Sequence, residues 1–241
     1  MANFPRKKFG DLQAIEIKGT RPDAPTLVFF HGYGADCEDL APFAKALAVP
    51  RDVNWLFPDG LVPVPVGGHR EGRGWFPLSL ATLEQAQAAD GTTGFKFSHE
   101  APAGLRKARE AALGALSAAG VRLGNAILVG FSQGAVLAMD LAVRGPEAPL
   151  GVALLSGTLV DEPNLRRLAA LRPGTTFFQS HGVRDPVLSI TGAEGLEAVL
   201  LENGWKGKLQ RFEGQHEIPL EVQSTLSAYL RARILEANPT K

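Results

Sequence analysis

Short apolar runs alternate along this chain with stretches whose apolar residues recur every three to four positions. Residues Leu12–Ile17 alternate apolar and polar, the period-two pattern of a half-buried strand. A turn-like Gly19-Thr20-Arg21-Pro22-Asp23 follows, and Thr26–Phe30 then reads as a fully buried strand. The short connection predicts an antiparallel edge hairpin between the two. Further buried strands are predicted at 54–57, 126–129, 152–155, 175–180 and 208–212.

Helical periodicity fills the gaps. Over 102–119, Leu105, Ala108, Ala112, Leu113 and Leu116 share one face, while Arg106, Lys107, Arg109 and Glu110 lie elsewhere. Gly120 is placed to end that helix. The stretch 135–143 is apolar almost all round, which predicts a helix buried on several sides. A last helix is predicted over 219–235, with a frayed tail from Asn238. Strands alternating with helices point to an α/β protein, a mostly parallel sheet with helices on both faces. No repeat or linker divides the chain, so residues 1–241 are expected to form one domain. The Gly- and Pro-rich stretch 61–98 breaks the pattern, with a short helical candidate at 81–89. Long irregular segments in compact domains tend to be functional or disordered.

Composition narrows the function. The 241 residues carry 25 basic and 25 acidic side chains, a formal net charge of zero, which gives no electrostatic footprint for nucleic acid or an anionic membrane. Cys37 is the one cysteine, so no intrachain disulfide can form. No apolar h-region follows Arg6-Lys7-Lys8, and no apolar run approaches the roughly 20 residues that span a bilayer. A cytoplasmic protein without stable membrane insertion is the expectation.

The strongest chemical signal is Gly130-Phe131-Ser132-Gln133-Gly134, which directly follows one predicted buried strand and opens the helix at Ala135. A G-x-S-x-G sequence there puts the serine on a sharp strand-to-helix turn with its hydroxyl clear of the sheet. Side chains two residues away on either side would collide, hence the glycines. A serine hydroxyl needs a base, and in such folds the order is serine, acid, histidine, each after a strand. His216, in Glu213-Gly214-Gln215-His216-Glu217, lies between the last strand and the last helix. His31 and His99 precede the serine, His69 falls in the irregular stretch, and His181 comes before the acid. For that acid, Asp185 is preferred to Asp161, which follows the preceding strand, because Gly182 and Pro186 fix its loop tightly.

Stabilising an oxyanion takes two backbone donors. The N–H of Gln133 is one, by its place after the nucleophile. The other is assigned to Tyr33, in Phe30-His31-Gly32-Tyr33-Gly34 at the end of an early strand. Cys37 has no base or second cysteine beside it and reads as an apolar filler. No histidine or cysteine spacing suggests a metal site, and no phosphate-binding glycine motif appears. No cofactor is expected. In 61–98, Trp75, Phe76, Phe95 and Phe97 are costly to leave in water. They must either pack back onto the domain or line an apolar cleft near Ser132; the segment is expected to form one wall of that cleft, with Trp75 and Phe76 beside the acyl or alcohol group and Tyr33 closing it opposite.

Taken in order, His31-Gly32-Tyr33-Gly34, Gly130-Phe131-Ser132-Gln133-Gly134-Ala135, His181-Gly182 ahead of Asp185-Pro186-Val187, and Gly214-Gln215-His216-Glu217 resemble the phospholipase/carboxylesterase family. That group includes bacterial carboxylesterases and acyl-protein thioesterases. The resemblance implies an α/β-hydrolase fold and a cofactor-free hydrolase of ester or thioester bonds, often a dimer. It implies the same oxyanion donors, Tyr33 and Gln133, and a substrate groove bordered by Trp75-Phe76. The chain departs from the family at Leu188-Ser189, Pro77 and Tyr33, all where the acyl or alcohol group would rest. The sequence therefore points to a serine carboxylesterase with Ser132, Asp185 and His216 as its triad. Acyl-protein thioesterase and lysophospholipase are alternatives within the class, and a non-catalytic binding protein of the same fold is the alternative outside it.

Overall fold

The protein is seen in a computed structural model that describes residues 4–21, 23–67, 71–78 and 99–237. The described strands are β1 (Arg6–Phe9), β2 (Leu12–Ile17), β3 (Thr26–Phe30), β4 (Asn54–Pro58), β5 (Val62–Pro65), β6 (Glu71–Gly74), β7 (Ala126–Phe131), β8 (Gly151–Leu155), β9 (Thr176–Gly182) and β10 (Lys206–Phe212). The described helices are α1 (Cys37–Leu40), α2 (Phe43–Ala46), α3 (Leu105–Ala118), α4 (Gln133–Arg144), α5 (Glu162–Ala169), α6 (Ile190–Glu202) and α7 (Leu220–Ala237). Eight strands form one sheet in the order β1-β2-β4-β3-β7-β8-β9-β10, and every neighbour pair from β4 to β10 is parallel.

Residue alternation along the central strands explains why both sheet faces are covered. In β3, Val28 and Phe30 join a core with Ala108 and Leu116 of α3, Leu137 of α4, Leu165 of α5 and Leu196 of α6. Leu27 and Phe29 point the other way, to Cys37 of α1 and Val222, Leu226 and Leu230 of α7. A strand apolar at every position is stable only between two such layers. This is the α/β-hydrolase arrangement. Helix α3 ends as its glycine predicts. Gly120, at φ +71°, donates to Ser117 O (3.0 Å), and Val121 donates to Leu116 O (2.8 Å), the paired bonds of a Schellman motif.

Two expectations need correction. Strands β2 and β3 do not form a hairpin, because β4 lies between them, antiparallel to β2 and parallel to β3. The apolar faces of β3 demand an interior place. The hairpin partner of β2 is instead β1, joined through Gly10-Asp11. Its charged, exposed Arg6, Lys7 and Lys8 suit an edge that must not pair with another chain. The second correction concerns 61–98, whose first part is not irregular: β5 and β6 pair as an antiparallel ribbon. The helical candidate at 81–89, Phe95, Phe97 and the tail from Asn238 lie outside the described residues. Among the described residues no helix is long and apolar enough to cross a membrane.

Candidate active site

The chain runs from β3 outward to β4, then returns to place β7 on the other side of β3. In open α/β sheets the crevice at the carboxyl ends of such strands is where ligands bind. Ser132 stands there alone between β7 and α4, at φ +53° and ψ −117°, a backbone state that costs a non-glycine residue about 1–3 kcal/mol. Its N–H donates to Leu155 O (2.8 Å), and its own carbonyl accepts from Ala135 N (2.9 Å). The flanking glycines are steric necessities. A Cβ on Gly130 would lie 2.2 Å from Gly134 O, and one on Gly134 would lie 2.1 Å from Phe30 O. The turn is tight because β3, β7 and α4 converge on it.

Asp185 follows β9 with its side chain fully buried, and His216 follows β10. His216 Nδ1 lies 2.6 Å from Asp185 Oδ2, so the imidazole donates there and leaves Nε2 free to accept a proton. Asp185 Oδ1 accepts from Val187 N (2.8 Å) and Leu188 N (2.9 Å). Burial alone would push this carboxyl up. The hydrogen bonds from His216, Leu188 and Val187 outweigh it and hold the group below the ordinary carboxylate value. Val183 N donates to Phe212 O and Arg184 N to Gly214 O, both at 3.0 Å, stitching the two loops together. The His216 ring packs on Phe131, next to Ser132, with centroids 4.9 Å apart. Asp161 is engaged elsewhere, 2.6 Å from Arg144 and 2.9 Å from the Asn164 amide nitrogen.

The loop after β3 lies directly over the serine turn. A Cβ on Gly32 would sit 3.1 Å from the Phe131 ring and 3.4 Å from Ser132 Cβ. The ribbon braces this loop: Gly34 N donates to Arg73 O and Arg73 N to Ala35 O, each at 2.8 Å. Among the described residues neither the Tyr33 nor the Gln133 N–H has an acceptor. Gln133 opens α4, so its N–H also belongs to the positive end of a helix dipole.

Three contributions here are invisible in the sequence pattern. The Gln133 side chain accepts from Trp75 N (2.7 Å) and donates to Phe76 O (2.8 Å), clamping that dipeptide to the helix. Trp75 packs edge-on to Phe30 at 5.3 Å, and its indole N–H donates to His31 O (2.8 Å). Trp75 and Phe76 are 1% and 2% exposed, so their side chains pack within the domain core. His31 is equally buried. Gly60 N–H donates to its Nε2 (2.9 Å), which puts the proton on Nδ1, facing Gly32 O at 2.7 Å. Burial lowers its pKa and keeps the ring neutral. A histidine ahead of a glycine turn, with a tryptophan in the supporting segment, was the one available signal.

Cys37 is buried, and its thiol is pushed above the ordinary range by burial and by Asp59. Its neighbours Asp36 and Asp59 pair with Arg6 at 3.1 and 2.9 Å, so a guanidinium supplies the positive charge in this cluster.

Comparison with known proteins gives a consistent background. The sequence profile described as phospholipase/carboxylesterase matches residues 12–234. Esterase YpfH of Escherichia coli strain K12 is 28% identical over 194 residues, covering 76% of this chain and 72% of that protein. The crystal structure of esterase PE8 superposes with a TM-score of 0.73 at 24% identity, covering 92% of this chain and 99% of that one. The Bacillus cereus carboxylesterase gives 0.68 at 19% identity, with coverage of 92% and 94%. At these identities the solved structures speak for the fold.

Proposed function

The chain belongs to the phospholipase/carboxylesterase family, and from that premise we propose that it is a serine carboxylesterase acting through an acyl-enzyme. Ser132 Oγ attacks the ester carbonyl while His216 Nε2 takes its proton. The carbonyl oxygen becomes an oxyanion that the Tyr33 and Gln133 N–H groups stabilise. Collapse of the tetrahedral species breaks the bond to the alcohol oxygen, which leaves with the proton from His216. Water then adds to the acyl-enzyme, giving its proton to His216, and the carboxylic acid leaves as Ser132 recovers the proton. Asp185 holds the imidazole in the tautomer that accepts at Nε2 and stabilises the imidazolium between steps.

The observation that carries this reading is the 2.6 Å Asp185–His216 hydrogen bond, made by two loops opening at the same sheet end as the strained Ser132. An accidental βα turn requires neither. The E. coli relative is itself an esterase. A fluorophosphonate should label the protein once and Ser132→Ala not at all, with ester turnover falling by on the order of a millionfold. A folded Ser132→Ala protein that keeps more than a few per cent of turnover would sink the proposal. A p-nitrophenyl ester series beside an acyl thioester then ranks ester against thioester.

A further inference from the structure

His181 has no part in the scheme above, yet it touches the acid. Strand β9 delivers it fully buried, with Nε2 2.8 Å from Leu188 O and 3.3 Å from Asp185 Oδ2. A carbonyl and a carboxylate can only accept, so Nε2 carries the proton: it donates to Leu188 O, with the Asp185 carboxylate alongside as a charge contact. Nδ1 is then a lone pair without a hydrogen-bond partner, and the nearby group on that side is the Gly157 carbonyl, another acceptor. Burial lowers the pKa of the ring and keeps it neutral despite these acceptors, so one nitrogen must go unpaired.

That orphaned atom is informative, because an unpaired buried polar atom carries a desolvation cost. The other tautomer would satisfy Gly157 but aim a lone pair at Asp185. An apolar ring would fill the space with no orphan at all. The arrangement makes physical sense if an N–H toward Leu188 O, in the loop that carries Asp185, is what the position supplies. Asp185 Oδ2 then lies between two imidazoles, while its Oδ1 is held by two backbone N–H groups.

We propose that His181 is a positioning residue for the triad acid: its Nε2–H holds the Leu188 carbonyl, and so the backbone whose N–H groups fix the Asp185 carboxylate with Oδ2 on His216. The proposal rests on the reading of Asp185 as that acid. Leu188 serves this network through its backbone, donating its N–H to Asp185 Oδ1 and accepting at its carbonyl from His181.

Two amides separate the N–H from the ring. In His181→Gln the amide nitrogen reaches the place of Nε2, and in His181→Asn it stops near that of Nδ1. His181→Asn should lower kcat about tenfold, the worth of one buried hydrogen bond, with KM within about twofold. His181→Gln should stay within about threefold of the wild type at a similar melting temperature. If His181→Asn does not fold, His181→Phe replaces it as the variant with volume and no N–H. Equal kcat in the Gln variant and its N–H-deficient partner, at matched stability, overturns the proposal. So does a loss confined to KM. Failure of the serine-hydrolase reading shows separately, as turnover retained by Ser132→Ala.

Discussion

Two neighbouring strands end in loops that each carry an aspartate, and the two aspartates lead different lives. The loop after β8 brings Asp161 to Arg144 of α4, itself paired with Asp140, which Arg109 also holds at 2.6 Å. The loop after β9 brings Asp185 to His216, His181 and two backbone N–H groups. Residue type and position after a strand are the same in both. What differs is the element that arrives opposite: a helix with a permanent cation, or a loop with a group that can give and take a proton. An aspartate facing arginine is tied into structure, whereas one facing histidine can steer chemistry.

The largest test of that contrast is in activity. Asp185→Asn should lower kcat on order of ten-thousandfold, because the amide no longer holds the imidazole in the accepting tautomer. Asp161→Asn should leave kcat within about twofold, a change worth less than half a kcal/mol. Kinetics on both variants, checked for foldedness by circular dichroism, decide the matter. The reverse ranking moves the acid one strand earlier and breaks the comparison.

Stability should rank the loops differently. Asp161→Asn removes a charged partner from Arg144 in a partly buried place, yet Asp140 remains to hold that guanidinium at 2.8 Å. The expected cost is about 1–2 kcal/mol, less than for a fully stranded buried charge. Urea unfolding measures it. No loss of stability would mean that the Arg144–Asp161 pair is ornamental.

How much of this could be read from sequence follows the same division between local and long-range information. The serine turn was legible because its geometry is largely local: strand, glycine, serine, glycine and helix are contiguous, and Gly130 is required by Gly134 O, 2.2 Å from where its Cβ would lie. The strands were legible because apolar β3 and β7 must be buried on both faces. Strand order was not, since nothing in residues 12–30 says that β4 will come between β2 and β3. Strand β1 was hidden for a related reason: an exposed edge of Arg6, Lys7 and Lys8 carries no apolar pattern. The aromatic pair shows the limit most clearly. The bulk of Trp75 and Phe76 announced burial, but the packing of Trp75 on Phe30 and the hold of the Gln133 side chain, 57 or 58 positions away, depend on partners distant in sequence.

The smallest expected effect concerns acid, and here the two networks should move in opposite directions. Asp185 is held below the ordinary carboxylate value, because its hydrogen bonds outweigh burial. A depressed folded-state pKa gives stability that is present above the unfolded value, about 3.9, and is lost as pH falls through the folded one. For Asp140 burial wins over Arg109 and Arg144, and the carboxyl is raised. A raised carboxyl binds its proton more tightly in the folded state, so its contribution falls as pH climbs from the unfolded value through the folded one. Unfolding free energies of wild type, Asp185→Asn and Asp140→Asn, taken from pH 7 to pH 3, read both slopes. The advantage of wild type over Asp185→Asn should shrink on acidification below about pH 4. Its standing against Asp140→Asn should improve over the same descent, starting at a higher pH. An amide titrates nowhere in this range, so each difference isolates one carboxyl. Parallel slopes would mean that His216 and the arginines treat their carboxylates alike, and the contrast between the two networks would lose its electrostatic basis.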